Sequence, residues 1–403
     1  MTTDKMVTSS TAEGEQKSRP PLWLLGTITL CGTLGIHIFA PALALAVADL
    51  RATPAQLQLS ISVYVWGLAV GQLVHGPMAD RFGRRPVLLG GIFLYTVSGV
   101  AAAMAGSSDV LIAARLAQAL GGCSGMVIAR AIVRDVSMNS QAARDLARLN
   151  LAILIGPGIG PLIGGVVATA FGWRAVLLVL ALLGVVAFLS VLILLQETNR
   201  ADTQRRNIVL HYAALARSRA FLGYALGGGC VTTSWYAFIA AAPFLYQHQF
   251  GQSARVTGAC LGIVVMGAWV GSFLASRLAS ASPTQRLLVL GHSLCALFAS
   301  ALCIAMMFDL ASAIVVTALM FFYTCGVGLA GPAALAQATA IKPDMAGSAS
   351  GLYGFFQMVV GAAAAASVSL GSNPGRAAAI ALLASAALAQ GFFLVARRQA
   401  LPG

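Results

Sequence analysis

The sequence is cut into twelve long apolar runs, at roughly 22 to 48, 56 to 78, 86 to 106, 109 to 131, 147 to 170, 174 to 196, 220 to 246, 254 to 278, 285 to 308, 311 to 334, 346 to 371 and 375 to 396. Each approaches the ~20 residues that a helix needs to cross the hydrocarbon of a bilayer. Lipid offers no partner for backbone N–H and C=O groups, so runs of this length must satisfy their own, as helices do. Only 9% of the residues are charged and 59% are hydrophobic, against about a quarter charged in soluble domains, which excludes a soluble globule. The expected fold class is an all-α membrane protein of twelve transmembrane helices. The 43 glycines suit helices that approach backbone to backbone in lipid.

A net charge of +13 would point to nucleic acid in a soluble chain, but here its distribution reads as orientation, and no nucleic-acid partner is expected. With both termini placed inside, twenty of the 25 Lys and Arg fall on the cytoplasmic side. Arg51, Arg174, Arg255 and Arg376 lie in outer loops, and Arg115 alone stands within a span. The longest interruption, Glu197 to about Arg219, divides the chain into a cytoplasmic tail (1–20), an N-terminal six-helix bundle (21–197), a cytoplasmic linker (198–219) and a C-terminal six-helix bundle with a short cytoplasmic tail (220–403). Two such halves around a midplane cavity are an architecture of alternating access. Ala44-Leu45-Ala46 has the look of a signal-peptidase site, but the run from Pro21 to Ala48 exceeds a signal h-region and reads as an uncleaved span.

All seven cysteines (Cys31, Cys123, Cys230, Cys260, Cys295, Cys303 and Cys325) sit in apolar runs without CxxC spacing and read as small buried hydrophobes. HExxH, GxSxG and P-loop patterns are absent, as is a soluble domain that could house a cofactor. No enzyme, cofactor or metal site is expected, and the tails are too short for a receptor's signalling segment.

Between the second and third runs stands Gly76-Pro77-Met78-Ala79-Asp80-Arg81-Phe82-Gly83-Arg84-Arg85-Pro86. It opens and closes with helix breakers and reads as a tight loop at the membrane surface, where Gly76 and Gly83 permit close approach or a positive φ. A generic positive-inside loop explains Arg81, Arg84 and Arg85 but neither the Asp80 spacing nor the paired glycines. The segment resembles the loop signature of the major facilitator superfamily, G-x-x-x-D-R-x-G-R-R. Over nearly all its length the chain is similar to the bicyclomycin and chloramphenicol resistance branch (Bcr/CflA) of the drug:proton antiporters. The likeness rests on Arg115 to Gly122, on Ala129-Arg130-Ala131-Ile132-Val133-Arg134-Asp135, on the antiporter motif Gly156-Pro157-Gly158-Ile159-Gly160-Pro161-Leu162-Ile163-Gly164-Gly165, and on Tyr236 to Phe244 with Phe250-Gly251.

The resemblance implies two gating devices. Asp80 would accept hydrogen bonds from the first amides of the eleventh helix, near Ala346 to Ser348, and pair with Arg84 or Arg130, with Asp135 joining the network. The alternative is a merely solvated Asp80. In the fifth run Gly156, Gly160 and Gly164 recur every four residues as a smooth face, while Pro157 and Pro161 bend the helix. Gly258, Gly262, Gly267 and Gly271 offer a matching face in the eighth run, and the family implies that the two pack across the halves to seal the outer side. Plain close packing is the alternative. The halves also echo each other: Gly271 to Arg277 repeats the opening loop without its Asp, and Gly347 to Gly361 is the small-residue counterpart of the fifth run.

Arg115 is the strongest site candidate. An arginine inside a span costs roughly 2.5–3.5 kcal/mol on insertion scales, so it should face protein or a wet cavity unless it snorkels to an interface. Gln118, Gly122, Gly125 and Ala129 follow at helical steps, a small polar stripe leading from Arg115 toward the cytoplasm. Where the branch has Asp-Met-Tyr-Leu-Pro in its first span, this chain reads His37-Ile38-Phe39-Ala40-Pro41, so the carboxylate expected to pair with the arginine is missing. Thr29, Thr33, His37 and Pro41 share a helix face, and the coupling role falls to His37 with Arg115, unless His37 is a packing residue. The cavity is then neutral to positive and favours neutral, zwitterionic or anionic substrates over lipophilic cations. Phe39, Tyr64, Trp235, Tyr236, Phe238, Tyr323, Tyr353 and Gln357 fall at mid-depth as an aromatic and amide lining. His75 and His292 read as structural, His211 and His248 as solvated.

The expected function is a secondary transporter, working as a monomer in the bacterial inner membrane and exporting small amphipathic molecules against protons. The alternative is a facilitator, importer or exporter of an organic anion or a metal chelate such as a siderophore, with atypical coupling.

Overall fold

The computed structural model describes residues 20–136, 139–198, 208–278, 282–342 and 345–400. Most of the predicted N-terminal tail, positions 199–207 of the linker and the side chain of Arg134 lie outside the described residues. The first crossing is α1 (Leu22–His37) and α2 (Leu43–Leu50), joined by a 3-10 turn at Ala40–Ala42. Then come α3 (Pro54–Phe82), α4 (Arg84–Ala103), α5 (Ser108–Val136), α6 (Asn139–Phe171) and α7 (Trp173–Leu194). A short helix, α8 (Ile208–Ala216), precedes α9 (Arg219–Thr232) and α10 (Tyr236–Phe244), and α10 ends in a π turn at Leu245–Gln249. The chain closes with α11 (Ala254–Leu278), α12 (Thr284–Met307), α13 (Ala313–Ala340), α14 (Ala346–Val368) and α15 (Pro374–Ala400).

Among the described residues, ten crossings are long and apolar enough to span a membrane, α1 with α2 taken as one. α6 is a continuous helix of 33 residues. The seventh run, expected to be continuous, is broken at Thr233 to Trp235. At that break three hydroxyls in succession turn back on the helix: Thr232 donates to the Gly228 carbonyl (2.6 Å), Thr233 to Gly229 (2.9 Å) and Ser234 to Cys230 (2.7 Å). Such bonds compete with the backbone ladder, and Gly227-Gly228-Gly229 beneath them adds little stiffness. The first crossing breaks for a different reason, since Pro41 has no N–H to continue the ladder.

The predicted loop at Gly76 to Pro86 needs correction. Gly76 and Pro77 lie inside α3, which runs on to Phe82, and a Cβ at Gly76 would meet nothing within 4 Å, so no close approach is made there. The turn is Gly83 alone, at φ +98°, where an L side chain would be strained.

Contacts sort into two groups, α1–α7 and α9–α15, and the same devices recur in both. Gly91 meets Gly121 between α4 and α5 just as Gly291 meets Gly326 between α12 and α13. Gly71 packs on Cys123 of α5, and Gly271 on Cys325 of α13. Arg174, at the start of α7, donates to the Ala105 carbonyl after α4 (3.2 Å), and Arg376, at the start of α15, donates to the Met306 carbonyl at the end of α12 (3.1 Å). Asp49 pairs with Arg174, and Asp309 with Arg376 at 2.9 Å.

The two groups meet along α3 with α14 and along α6 with α11. The second seam runs through other residues than the spacing implied. The Gly156, Gly160 and Gly164 face is turned to α1: a Cβ on Gly164 would stand 1.9 Å from the Ile38 carbonyl, and one on Gly160 would stand 3.2 Å from the His37 Cβ. It is Gly158 (against Trp269), Pro161 and Gly165 that face α11, with Gly165 against Ala254 and Gly258 against the Pro161 carbonyl. Gly267 and Gly271 are spent on α13, against Phe321 and Cys325. Two interleaved glycine faces on one helix serve two neighbours, and a four-residue repeat alone does not say which is which.

Gly164→Ala should therefore force α1 and α6 apart and lower the melting temperature by the equivalent of about 1–3 kcal/mol of overpacking. Gly90→Ala, with nothing within 4 Å of its Cβ, should leave the melt unchanged or raise it.

Candidate functional site

Arg115, on α5, is fully buried. Its guanidinium donates to the Gly35 carbonyl (2.5 Å) and to the Gln118 amide oxygen (2.7 Å), and lies over the Tyr64 ring at 4.0 Å and the Phe39 ring at 5.2 Å. Among the described residues no carboxylate comes within salt-bridge distance, and its Nε has no hydrogen-bond partner. The charge is held by π faces and oxygen dipoles, which solvate a cation without neutralising it. Gly35 makes this possible: a Cβ there would lie 2.2 Å from the Tyr64 hydroxyl, which donates to the Gly32 carbonyl at 3.1 Å. The stripe below Arg115 is not a path. Gly122 lies against Gly32, and a Cβ on Gly125 would reach 2.0 Å from the Ile28 carbonyl, so these residues seat α5 on α1.

His37 ends α1 at the break of the first crossing, with 1% of its surface exposed. Its ring stacks on Trp235 at 5.4 Å and tilts against Tyr236 at 6.1 Å, and these two rings stack on each other at 5.6 Å. Trp235 and Tyr236 stand at the break of the seventh crossing, so the two interruptions meet face to face across the groups. The Nδ1 of His37 has no partner. At the same end of the bundle, the Gln247 amide donates to the Pro41 carbonyl (2.9 Å).

On α14, Gln357 binds the broken helix twice: its amide donates to the Thr232 hydroxyl (2.6 Å) and its carbonyl accepts from Thr233 (2.6 Å). Tyr353 is buried beside Gly228, whose Cβ would touch the tyrosine hydroxyl at 2.5 Å. Two expected lining residues lie elsewhere. Phe238, two residues beyond Tyr236 and so nearly opposite on α10, packs edge-on to Tyr246, and the Tyr323 hydroxyl is 2.8 Å from that of Ser234, bracing the break from α13. Of the other histidines, His248 is exposed and stacks on Phe244, whereas His211 is half-buried with Nδ1 3.4 Å from the Ser348 hydroxyl.

At the α3–α4 corner, the Arg84 guanidinium pairs with Asp80 and, through Nε, with Asp135 at 2.9 Å. Arg81 is exposed and packs on Phe82, and Arg130 is half-buried on α5. Arg85 donates to the Leu192 carbonyl (2.8 Å). The residue that spacing did not single out is Glu197. Its two oxygens accept from the amides of Arg84 (2.9 Å) and Arg85 (3.1 Å), so it caps α4 from more than a hundred residues away. Nothing local marks this role, because a cap supplied from the distant stretch after α7 leaves no pattern of spacing.

Glu197→Ala should expose those two amides, lower the melt by the equivalent of about 1 kcal/mol, and raise hydrogen exchange at Arg84 and Arg85 while the α12 amides stay protected.

The profile of the Major Facilitator Superfamily matches residues 25–366. Multidrug resistance protein D of Escherichia coli K12 is 31% identical over 345 residues, covering 84% of this chain and 85% of its own. The bicyclomycin resistance protein homolog of Haemophilus influenzae is 26% identical over 351 residues, 84% and 86% of the two chains. Among solved structures, the D-xylose-proton symporter superposes with a TM-score of 0.74 over 92% of this chain and 97% of its own, at 14% identity. A bacterial homolog of the human lysosomal transporter Spinster, inward-facing and unoccupied, gives 0.76 over 94% and 96%, also at 14%; both show the fold. A family profile spanning most of the chain, relatives matched over most of their length and a shared all-helical membrane fold lead to one conclusion: this chain belongs to the Major Facilitator Superfamily, as a membrane transporter and not an enzyme.

Proposed function

We propose that the protein is a secondary transporter of the bacterial inner membrane that exports small amphipathic molecules by alternating access, with residues 21–197 and 220–403 as the two moving halves, 198–219 as the link and both termini cytoplasmic. The observation that carries the reading is Arg115, a buried cation with no carboxylate beside it among the described residues. A site whose charge is solvated but not neutralised repels cations and attracts ligands that bring an acceptor or a negative group. Neutral, zwitterionic and anionic amphiphiles fit it, with Tyr64, Phe39, Trp235 and Tyr236 supplying aromatic walls and Gln118, Tyr353 and Gln357 polar contacts. The names of the relatives, which concern drug resistance, support efflux as the direction.

In this reading the α6–α11 seam, the Gln247–Pro41 bond and the His37–Trp235–Tyr236 stack close the outer side. The Asp80, Arg84 and Asp135 cluster, with Arg81, Arg85 and Arg130 around it, latches the inner side in the opposite state. A proton taken up at His37 would add a positive charge to the stack with Trp235 and Tyr236, at the end of the same helix whose Gly35 carbonyl holds Arg115, linking inward proton flow to release. A second reading, a facilitator of an organic anion or metal chelate, is favoured by the same lack of a carboxylate near Arg115, since no acid is then available to carry the proton.

Melting shifts of the purified protein against a panel of lipophilic cations, neutral phenicol-like drugs and small organic anions test the site without presuming coupling. Neutral or anionic compounds should raise the melt, and Arg115→Ala should weaken them about 100-fold or more. Shifts confined to cations and indifferent to Arg115 would overturn the proposal. In proteoliposomes, uptake of the same ligand that follows an imposed pH gradient and is lost in His37→Ala supports the antiporter; uptake indifferent to the gradient selects the facilitator.

A further inference from the structure

A second polar site lies far from Arg115, between α12 and α15. A small cavity there, about 20 Å³, is lined by His292, Gln390, Arg397 and Phe393, with Val289 and Leu394 at its mouth. It has room for about one water-sized group. His292 is 8% exposed, and although Gln390 hydrogen-bonds to its side chain, its Nδ1 has no hydrogen-bond partner. Its ring is fixed edge-on to Phe393 at 5.8 Å.

The mouth faces lipid, not the transport pathway. Val289 is 41% exposed and Leu394 46%, and Leu290 and Leu297 continue the exposed apolar strip along α12. Arg397, in the last turn of α15, brings a guanidinium to the cavity; the Gln285 amide oxygen accepts from its Nε and one terminal nitrogen, and among the described residues no carboxylate lies within salt-bridge distance of it. A buried orphan at the bottom, an unneutralised cation at the rim and bare hydrocarbon on the outside match an amphiphile that carries an anion, then hydrogen-bonding oxygens, then acyl chains.

We propose that this groove binds one anionic phospholipid, with the phosphate on Arg397, an ester or glycerol oxygen in the cavity against His292 and Gln390, and the acyl chains along Val289, Leu290 and Leu394. The cavity is too small for a whole headgroup, so the phosphate stays at the rim. Arg398, the next residue on α15, does not line the cavity and serves as the control for general attraction of cations to an acidic membrane.

The test uses the full chain in nanodiscs of phosphatidylcholine, with and without phosphatidylglycerol, read by melting temperature and by lipid retained in native mass spectrometry. Phosphatidylglycerol should raise the melt by about 2 °C or more and stay bound as one copy. Arg397→Gln and Gln390→Leu should each remove most of that shift and the retained lipid, whereas Arg398→Gln should keep both. Inorganic phosphate at equal concentration should give no shift. The proposal is overturned if Arg397→Gln retains the full shift, if Arg398→Gln loses as much as Arg397→Gln, or if free phosphate stabilises as well as the lipid.

Discussion

Helices in lipid gain no hydrophobic energy by leaving water, so what holds this bundle together is backbone brought against backbone. At Gly35, Gly125, Gly164 and Gly271 a single Cβ would stand about 2 Å from an atom of the neighbouring helix. These contacts do more than pack. Because α1 lies so close to α3 and α5, the Gly32 and Gly35 carbonyls come within reach of Tyr64 and Arg115, and the buried guanidinium is solvated by main chain. The site is a by-product of the spacing between helices, and anything that widens that spacing strips the cation of its ligands.

Much of this was readable in advance. Of the twelve crossings expected from apolar length, ten are found among the described residues, and the buried arginine follows from its being the one charge inside a span. Arg115 and Gln118 could be placed together from their helical spacing, whereas the stacking of His37 on Trp235 and Tyr236 of the other half could not. What could not be read is which face of a helix meets which neighbour. Gly156, Gly160 and Gly164 differ in no local property from Gly158 and Gly165, yet one set serves α1 and the other α11. Only the three-dimensional order of the helices separates them. Glu197 is hidden for the same reason, since a cap given across the fold has no signature in the segment that gives it.

The breaks in the first and seventh crossings were hidden differently. Hydropathy sees both runs as continuous, because Thr, Ser and Pro barely lower the mean of an apolar window. The hydroxyls of Thr232, Thr233 and Ser234 act through hydrogen bonds that a hydropathy scale does not count. Read as a local motif, three consecutive hydroxyl residues after three glycines would have marked the joint.

That joint divides the seventh crossing into two short rods with different attachments. The lower rod, Arg219–Thr232, is tied to α15 by the contact of Gly223 with Phe392 and Ala396, and Gln357 fastens its last turn to α14. The upper rod, Tyr236–Phe244, touches the other half of the molecule through Tyr236 and, beyond its end, Gln247. A helix built this way transmits little torque along its length. The upper rod has anchors of its own within its half, Ala237 and Ala241 packing on Ala364, Val368 and Ala378, so a shift of the lower rod need not be relayed past Thr233 to the contacts with the other half.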